Sequence, residues 1–258
     1  MTDTPVRVAI PGATGRMGQE LLEAAAERTD VVVSVATSRT PEAGPIAGQP
    51  IEPAADLPAA LADQDVDILV DFTVPAATND HVVAAGNAGV GVVIGTTGFD
   101  DETSLRTAAE QVPILKAANF ARGIQALLAV LETAAESLPG YDVELIETHH
   151  NGKRDAPSGT AGRLLETIET VREDDGDRVH GRAGHAPRAE DEIGVHAVRA
   201  GDITGIHEAL FAGQHEELRI THRAEDRGVF AAGALDAAVW LAGRDPGWYD
   251  YADLLEQS

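Results

Sequence analysis

Across its first 120 residues the chain alternates short apolar runs with stretches of helical spacing, and few folds accommodate that rhythm. Apolar or β-branched runs occupy residues 6–10, 31–36, 67–72, 90–94 and 112–115. Between them, residues 17–28 place Met17, Leu21, Leu22 and Ala25 on one helical face, and residues 76–88 and 102–111 also have helical patterns. Runs this short suit strands, and a helix between two strands brings the second back parallel to the first. The expected class is therefore α/β, with a parallel sheet and helices on its faces.

Beyond residue 121 the rhythm changes. Residues 123–138 have the pattern of a long helix, 141–148 alternate like a strand, and 159–172 read as a helix after a Gly/Pro-rich loop. Residues 173–190 are charged and aperiodic, the pattern of a mobile loop. Residues 193–200, 203–212 and 216–224 are three strand candidates, separated by turn signals at Ala200-Gly201-Asp202 and Ala212-Gly213-Gln214. They read as an antiparallel or mixed sheet. Residues 229–242 form an apolar helix before an acidic tail. The expected division is a first domain of residues 1–121, to which the segment 229–258 returns, and a second over residues 122–228.

Composition removes several classes of function. The 258 residues carry 43 acidic and 19 basic side chains, a formal net charge of −24. Phosphate backbones need a basic surface, so nucleic acid is not the expected partner. No uninterrupted apolar run reaches the roughly 18 residues of a membrane span. Residues 1–10 lack the basic start of a secretory leader, so the expected location is cytoplasmic. The chain has no cysteine, which excludes disulfides, thiol nucleophiles and Cys-ligated metals. Lys116 and Lys153 are the only lysines among the 19 basic residues. Many carboxylates with few lysines suit a salt-rich, halophilic cytoplasm, where cations screen self-repulsion; an ordinary acidic surface is the competing reading.

The first run leads into Gly12-Ala13-Thr14-Gly15-Arg16-Met17-Gly18, which opens the first helix. Glycines there allow a tight turn and close approach of backbone to a pyrophosphate, while the helix start supplies N–H groups and partial positive charge. The spacing is G-x-x-G-x-x-G, not G-x-G-x-x-G, and a purely structural turn competes with a dinucleotide site. An NAD site expects an acid about 20 residues on. Here Ala36-Thr37-Ser38-Arg39-Thr40 holds none, and two hydroxyls with Arg39 suit a 2′-phosphate. Arg39 as an ordinary surface residue, or Glu42 as a displaced ribose partner, are the alternatives. The expected cofactor is NADPH, with NADH also possible. Asp71-Phe72-Thr73 and Gly95-Thr96-Thr97-Gly98 end two further runs, where parallel sheets bind ligands.

The densest chemistry lies in residues 147–161, Glu-Thr-His-His-Asn-Gly-Lys-Arg-Asp-Ala-Pro-Ser-Gly-Thr-Ala. Ser158 suits a helix N-cap, and Pro157 stops the helix extending backwards. Gly159 and Thr160 then offer first-turn N–H groups to a carboxylate, with His149, His150, Lys153 and Arg154 around them. Adjacent histidines in a strand point opposite ways, and no His-x-x-x-His pair exists, so no metal is expected. An ammonium gives up a proton near neutral pH when its surroundings allow; a guanidinium does not. Lys153 therefore reads as a proton donor or carboxylate ligand, and Lys116 carries a weaker version of the argument. Arg199 and Arg227 are either anion contacts or structural ion pairs.

Together these residues resemble the 4-hydroxy-tetrahydrodipicolinate reductase (dihydrodipicolinate reductase) family. The resemblance runs almost end to end. It is most specific over residues 147–161, which match E-x-H-H-x-x-K-x-D-A-P-S-G-T-A. Gly12–Gly18, Asp71-Phe72-Thr73, Gly95–Asp100, Ala118-Asn119-Phe120 and Arg199-Ala200-Gly201-Asp202 support it.

The resemblance implies a Rossmann-like nucleotide domain hinged to a smaller α+β domain for substrate and tetramer contacts. It implies hydride transfer from NAD(P)H to a cyclic dicarboxylate imine, with loss of water, on the diaminopimelate route to lysine. By motif, His149 and Lys153 fall at proton-donor positions, and His150, Gly159 and Thr160 at substrate-carboxylate contacts. Gly12, Ala13, Thr14, Gly15, Arg16 and Met17 fall in the cofactor cleft, with Gly95, Thr96, Thr97, Ala117, Ala118, Asn119 and Phe120. At Ser38, where many members carry an acid, this sequence departs, which with Arg39 favours NADPH. Closure of the domains is expected to bring the His149–Thr160 segment over the cofactor. Rival readings are another two-domain NAD(P) reductase, such as an aspartate or homoserine dehydrogenase, and a catalytically idle NADPH sensor.

Overall fold

A computed structural model describes residues 4–41, 44–63, 65–172 and 176–255; Glu42 lies outside them. In chain order the elements are β1 (Val6–Pro11), α1 (Arg16–Ala26), β2 (Val31–Ser38), β3 (Glu52–Pro53), α2 (Leu57–Asp63), β4 (Ile68–Asp71), α3 (Pro75–Ala88), β5 (Gly91–Ile94), α4 (Thr103–Ala109) and β6 (Pro113–Lys116). They continue as α5 (Arg122–Ser137), β7 (Asp142–His149), α6 (Gly159–Arg172), β8 (Arg178–His180), β9 (Ile193–Arg199), β10 (Gly205–Ala212), β11 (Glu217–Ala224), α7 (Gly228–Leu241), β12 (Gly247–Tyr249) and α8 (Tyr251–Leu255). The chain divides into two compact units, Met1–Phe120 with Arg227–Ser258, and Ala121–Asp226.

The first unit is built on a seven-stranded sheet in the order β12-β6-β5-β4-β1-β2-β3, parallel throughout. Strands buried on both sides explain the continuous apolar runs, and helices cover both faces. On one side Leu21, Leu22, Ala231, Ala234, Leu235 and Leu241 of α1 and α7 pack on Val8, Ile10 and Val70. On the other, Leu57, Leu61, Val82, Ala85 and Leu105 of α2, α3 and α4 pack on Ala9, Leu69, Val92 and Ile94. The strand order reverses direction beside β1, and such reversals leave a crevice at the carboxyl ends of the strands.

The second unit is a five-stranded mixed sheet, β11-β10-β7-β9-β8. β10 runs antiparallel to both its neighbours, and β9 runs parallel to β7 and β8. β7 and β10 alternate buried and half-exposed residues. The buried phase, Val143, Leu145, Ala209 and Phe211, belongs to the helix side, where α5 and α6 bury Leu131, Leu164, Leu165 and Ile168. The other face presents Ile146, Ile206 and Leu210 half-exposed and Val198 exposed.

Three features depart from the sequence expectations. The stretch expected to be a loop contains β8, a three-residue edge strand that owes its form to pairing with β9 rather than to its own pattern. The acidic tail forms β12, which extends the first sheet beyond β6, and α8, which buries Tyr251 and Leu254. β3 and α2 had no expected counterpart, because prolines at 50, 53 and 58 break any periodic signal.

Candidate active site

In the first unit a cleft of ≈ 700 Å³ opens at the ends of β1, β2 and β4. Its floor is the glycine loop. Gly12 holds a left-handed φ of +68°, and a Cβ there would stand 2.8 Å from Thr73 Cγ2. A Cβ on Gly18 would stand 2.6 Å from Ala13 Cα and collide with the Gly12 carbonyl, so only glycine lets α1 approach β1 this closely. Gly15, at the N-cap of α1, has no side chain to occupy the first-turn N–H groups, which keep their capacity for an anion.

The β2 end forms one wall. The buried Ser38 hydroxyl lies 2.6 Å from Thr14 Oγ1 and accepts from the Thr40 N–H at 3.1 Å. Arg39 is exposed on the rim, and the buried Thr37 hydroxyl has no partner among the described residues. No described residue at this strand end carries a carboxylate. A cradle closed to any Cβ, an uncapped helix start and an orphaned hydroxyl fit a dinucleotide.

The opposite wall is tied together beneath its surface. The buried Asp71 carboxylate accepts from the Thr73 N–H (2.8 Å) and hydroxyl (2.6 Å) and faces His81 Nδ1 at 2.8 Å. Thr78 donates to Thr96 at 2.9 Å, joining α3 to the β5 end. Gly12, Thr14, Gly15, Arg16, Met17, Ser38 and Arg39 thus line one cleft, whereas Ala13 is fully buried beneath it. Gly95, Thr96, Thr97, Ala117, Ala118, Asn119 and Phe120 follow β5 and β6 and lie outside that lining. Gly95 is packed under Phe72, and the Phe120 ring is buried between Phe72 and Tyr251. Lys116 is engaged with Glu102 at 2.9 Å.

In the second unit the alternation of β7 sends Glu147 and His149 to the buried, helix-covered side. The Glu147 carboxylate is fully buried and receives four donors. Arg199 gives it two, at 2.6 and 2.9 Å, His149 Nδ1 one at 2.5 Å, and the Ser158 N–H one at 3.1 Å. Burial alone would push this carboxyl up, but the bonds from Arg199 and His149 outweigh it and hold it below the ordinary range. Burial pushes His149 down, and the hydrogen bond to Glu147 only partly offsets this, so the ring is neutral at pH 7. Its Nε2 has no partner among the described residues and sits beside Gly205.

Ser158 caps α6 by accepting from the Ala161 N–H at 3.1 Å, and its hydroxyl also lies 3.1 Å from His207 Nε2. Burial drives His207 down to about 4. The first turn of α6 leaves Gly159 exposed and Thr160 half-buried. Arg199 reaches on to the Asp155 carbonyl at 2.6 Å, and Lys153 pairs with Asp155 at 2.9 Å. The same loop carries half-buried His150. This unit therefore gathers His149, His150, Lys153, Gly159 and Thr160 about one strand end and one helix start. The arrangement can hold a carboxylate and move a proton. Among the described residues no group of three or more His, Asp or Glu side chains is placed to hold a metal.

Sequence reasoning left out His207, and it could not decide what Arg199 binds. A signal existed for the first: residues 205, 207, 209 and 211 share the buried phase of β10, and a histidine in that phase needs a polar partner. Arg199 lies 52 residues from Glu147, and only strand pairing brings them together.

Comparison with known proteins agrees with this architecture. The family model described as dihydrodipicolinate reductase, N-terminus, matches residues 6–120, and its C-terminus counterpart matches residues 123–255. A 4-hydroxy-tetrahydrodipicolinate reductase from Natronomonas pharaonis is 54% identical over 250 residues, covering 96% of this chain and 99% of that protein. Its counterpart from Haloarcula marismortui is 51% identical over 252 residues, covering 97% and 99%. The solved structure of a dipicolinate-bound dihydrodipicolinate reductase from Paenisporosarcina sp. TG-14 superposes with a TM-score of 0.75 at 26% identity, covering 96% of this chain and 98% of that one. The two family models between them span residues 6–120 and 123–255, nearly the whole chain, and this chain belongs to the dihydrodipicolinate reductase family.

Proposed function

We propose that this chain is an NAD(P)H-dependent oxidoreductase that reduces 4-hydroxy-tetrahydrodipicolinate to tetrahydrodipicolinate, with loss of water, in lysine biosynthesis through diaminopimelate. The observation that carries this reading is the array in which half-buried Arg199 and buried His149 bond the buried Glu147 carboxylate, beside Lys153 and the capped start of α6. Residues 1–121 with 229–258 are the dinucleotide domain, and residues 122–228 the substrate and self-association domain. The glycine loop and the start of α1 would hold the pyrophosphate, and Ser38 with Arg39 the 2′-phosphate of NADPH; NADH remains a usable second cofactor. When bound, the reduced nicotinamide supplies the hydride.

The chain's own groups handle the substrate's charge and the balancing proton. Gly159 and Thr160, at the α6 start, hold one carboxylate with His150. Lys153 is an ammonium donor on a short loop, and Asp155 keeps it in place. Hydride addition to a conjugated imine builds electron density that one proton must neutralise; the Lys153 ammonium, or His149 after it takes up a second proton at Nε2, supplies it. The half-exposed sheet face of the second unit, with Ile146, Ile206, Leu210 and Val198, is the surface for a homotetramer. No described helix is long and apolar enough to cross a membrane, and the −24 charge suits a halophilic cytoplasm.

The test generates substrate in place from aspartate semialdehyde, pyruvate and the upstream synthase in high KCl, and follows NADPH and NADH oxidation in parallel. Substrate-dependent oxidation, faster with NADPH, is expected. His149→Gln and Lys153→Met should each lower kcat by about 10²–10⁴-fold while cofactor Kd persists. Absent oxidation from folded, NADPH-binding protein would sink the reading in favour of a sensor. Light scattering at a monomer mass would sink the tetramer.

A further inference from the structure

We infer that Glu147 is a positioning residue that fixes the His149 ring so that Nε2 is its only proton-exchanging nitrogen, and that ties this ring to the start of α6. The inference rests on the proposed function for its importance in turnover, but not for its geometry.

A carboxylate has about four acceptor sites. In Glu147 all four are used: Oε1 takes Arg199 Nη2 and the Ser158 N–H, and Oε2 takes Arg199 Nη1 and His149 Nδ1. Arg199 is a permanent cation and its bonding is bidentate, so the carboxylate stays ionised and can only accept. A His149 ring with a bare Nδ1 would set lone pair against lone pair at 2.5 Å. The neutral ring must therefore carry its hydrogen on Nδ1, and a second proton can enter and leave only at Nε2. The other charged or titratable neighbours, Lys153 from the loop, Arg199 from β9 and His207 from β10, place no acceptor on Nδ1.

The same carboxylate holds the Ser158 backbone, whose side chain caps α6. One buried group thereby fixes both the proton-transfer ring and the helix start assigned to the substrate carboxylate. Glu147 itself is fully buried, so it acts through His149 and Ser158 rather than on substrate.

Long-range 1H–15N correlation spectra of the full-length, uniformly 15N-labelled protein read the tautomer directly, with His149→Gln identifying the ring's signals. The wild type should show His149 as the Nδ1–H form once the ring is neutral. In Glu147→Gln the carboxamide can still accept from Ser158 but presents N–H groups to His149, so the ring should switch to Nε2–H. Its kcat should fall by about 10²-fold or more, with KM changing much less than kcat. A wild-type ring in the Nε2–H form overturns the inference, and that measurement needs no variant of Glu147. So does a folded Glu147→Gln protein with wild-type tautomer or wild-type kcat. A wild type without reductase activity would refute the functional reading alone, because the spectrum reports the His149 tautomer whether or not the protein turns over substrate.

Discussion

Replacing Arg199 with methionine isolates what the guanidinium does for Glu147. The change keeps an unbranched stem of similar reach and removes two of the four donors on a carboxylate that is 0% exposed. Breaking a buried pair by removing one partner costs about 3–5 kcal/mol. The Arg199 side chain keeps 19% of its exposure, and solvent entering there lowers the cost to about 3 kcal/mol. At roughly 3 °C per kcal/mol for a chain of this size, Tm should drop by about 10 °C.

The pH dependence separates this cause from simple loss of packing. In the wild type Glu147 is held below its ordinary range, so its contribution is present above the unfolded value of about 4.3 and is lost as pH falls through the folded one. Without Arg199, burial dominates and the carboxyl rises above its unfolded value. It then opposes folding at neutral pH, and protonation relieves that opposition. The stability gap between wild type and Arg199→Met should be wide at about pH 7.5 and narrower at about pH 5.5. Thermal unfolding by far-UV circular dichroism, at constant KCl, measures both. An unchanged Tm at the higher pH, or a gap that does not narrow on acidification, would refute the reasoning.

Three other outcomes follow from single positions, and a fourth from the net charge. Gly18→Ala places a Cβ against Ala13 and Gly12 backbone, which cannot yield as a side chain would; it should cost about 1–3 kcal/mol and weaken NADPH binding, as titration calorimetry would show. Gly205→Ala sets a methyl 3.2 Å from His149 Nε2, so kcat should fall while Tm barely moves, and equal kcat would count against His149 Nε2 as the working atom. Burial holds His207 at about 4 against an unfolded value near 6.5, so stability is complete above the unfolded value and about 3 kcal/mol is lost as pH falls to the folded one. His207→Gln should flatten that part of the pH–stability curve. With a net charge of −24, Tm should climb with added KCl, and indifference to salt would remove self-repulsion as a governing term.

Much of the first unit was legible because parallel strands buried on both faces leave continuous apolar runs. Val8 to Ile10, Ile68 to Val70 and Val92 to Ile94 are nearly inaccessible to solvent, and each is bounded by a charged residue, a proline or a glycine. Elements that depend on a partner left no such trace. β8 and β12 are three residues long, and each takes its form from the neighbouring strand. In the second sheet, nearness in sequence does not set the pairing: β9 pairs with β7 and not with the adjacent β10, because β7 lies between them.

By itself the sequence determined the class of fold and the chemical inventory. Periodicity and turn residues act locally, and the side chains in Gly12–Gly18 and in residues 147–161 are neighbours along the chain whatever the tertiary structure. What only folding decided is how those groups are set. Arg199 and His207 arrive at Glu147, His149 and Ser158 from β9 and β10, and the pairing of those strands with β7 brings them there. The protonation of His149 and the anchoring of α6 follow from that meeting in a buried site. Burial and long-range pairing set charge and tautomer, and neither is written in any local stretch of sequence.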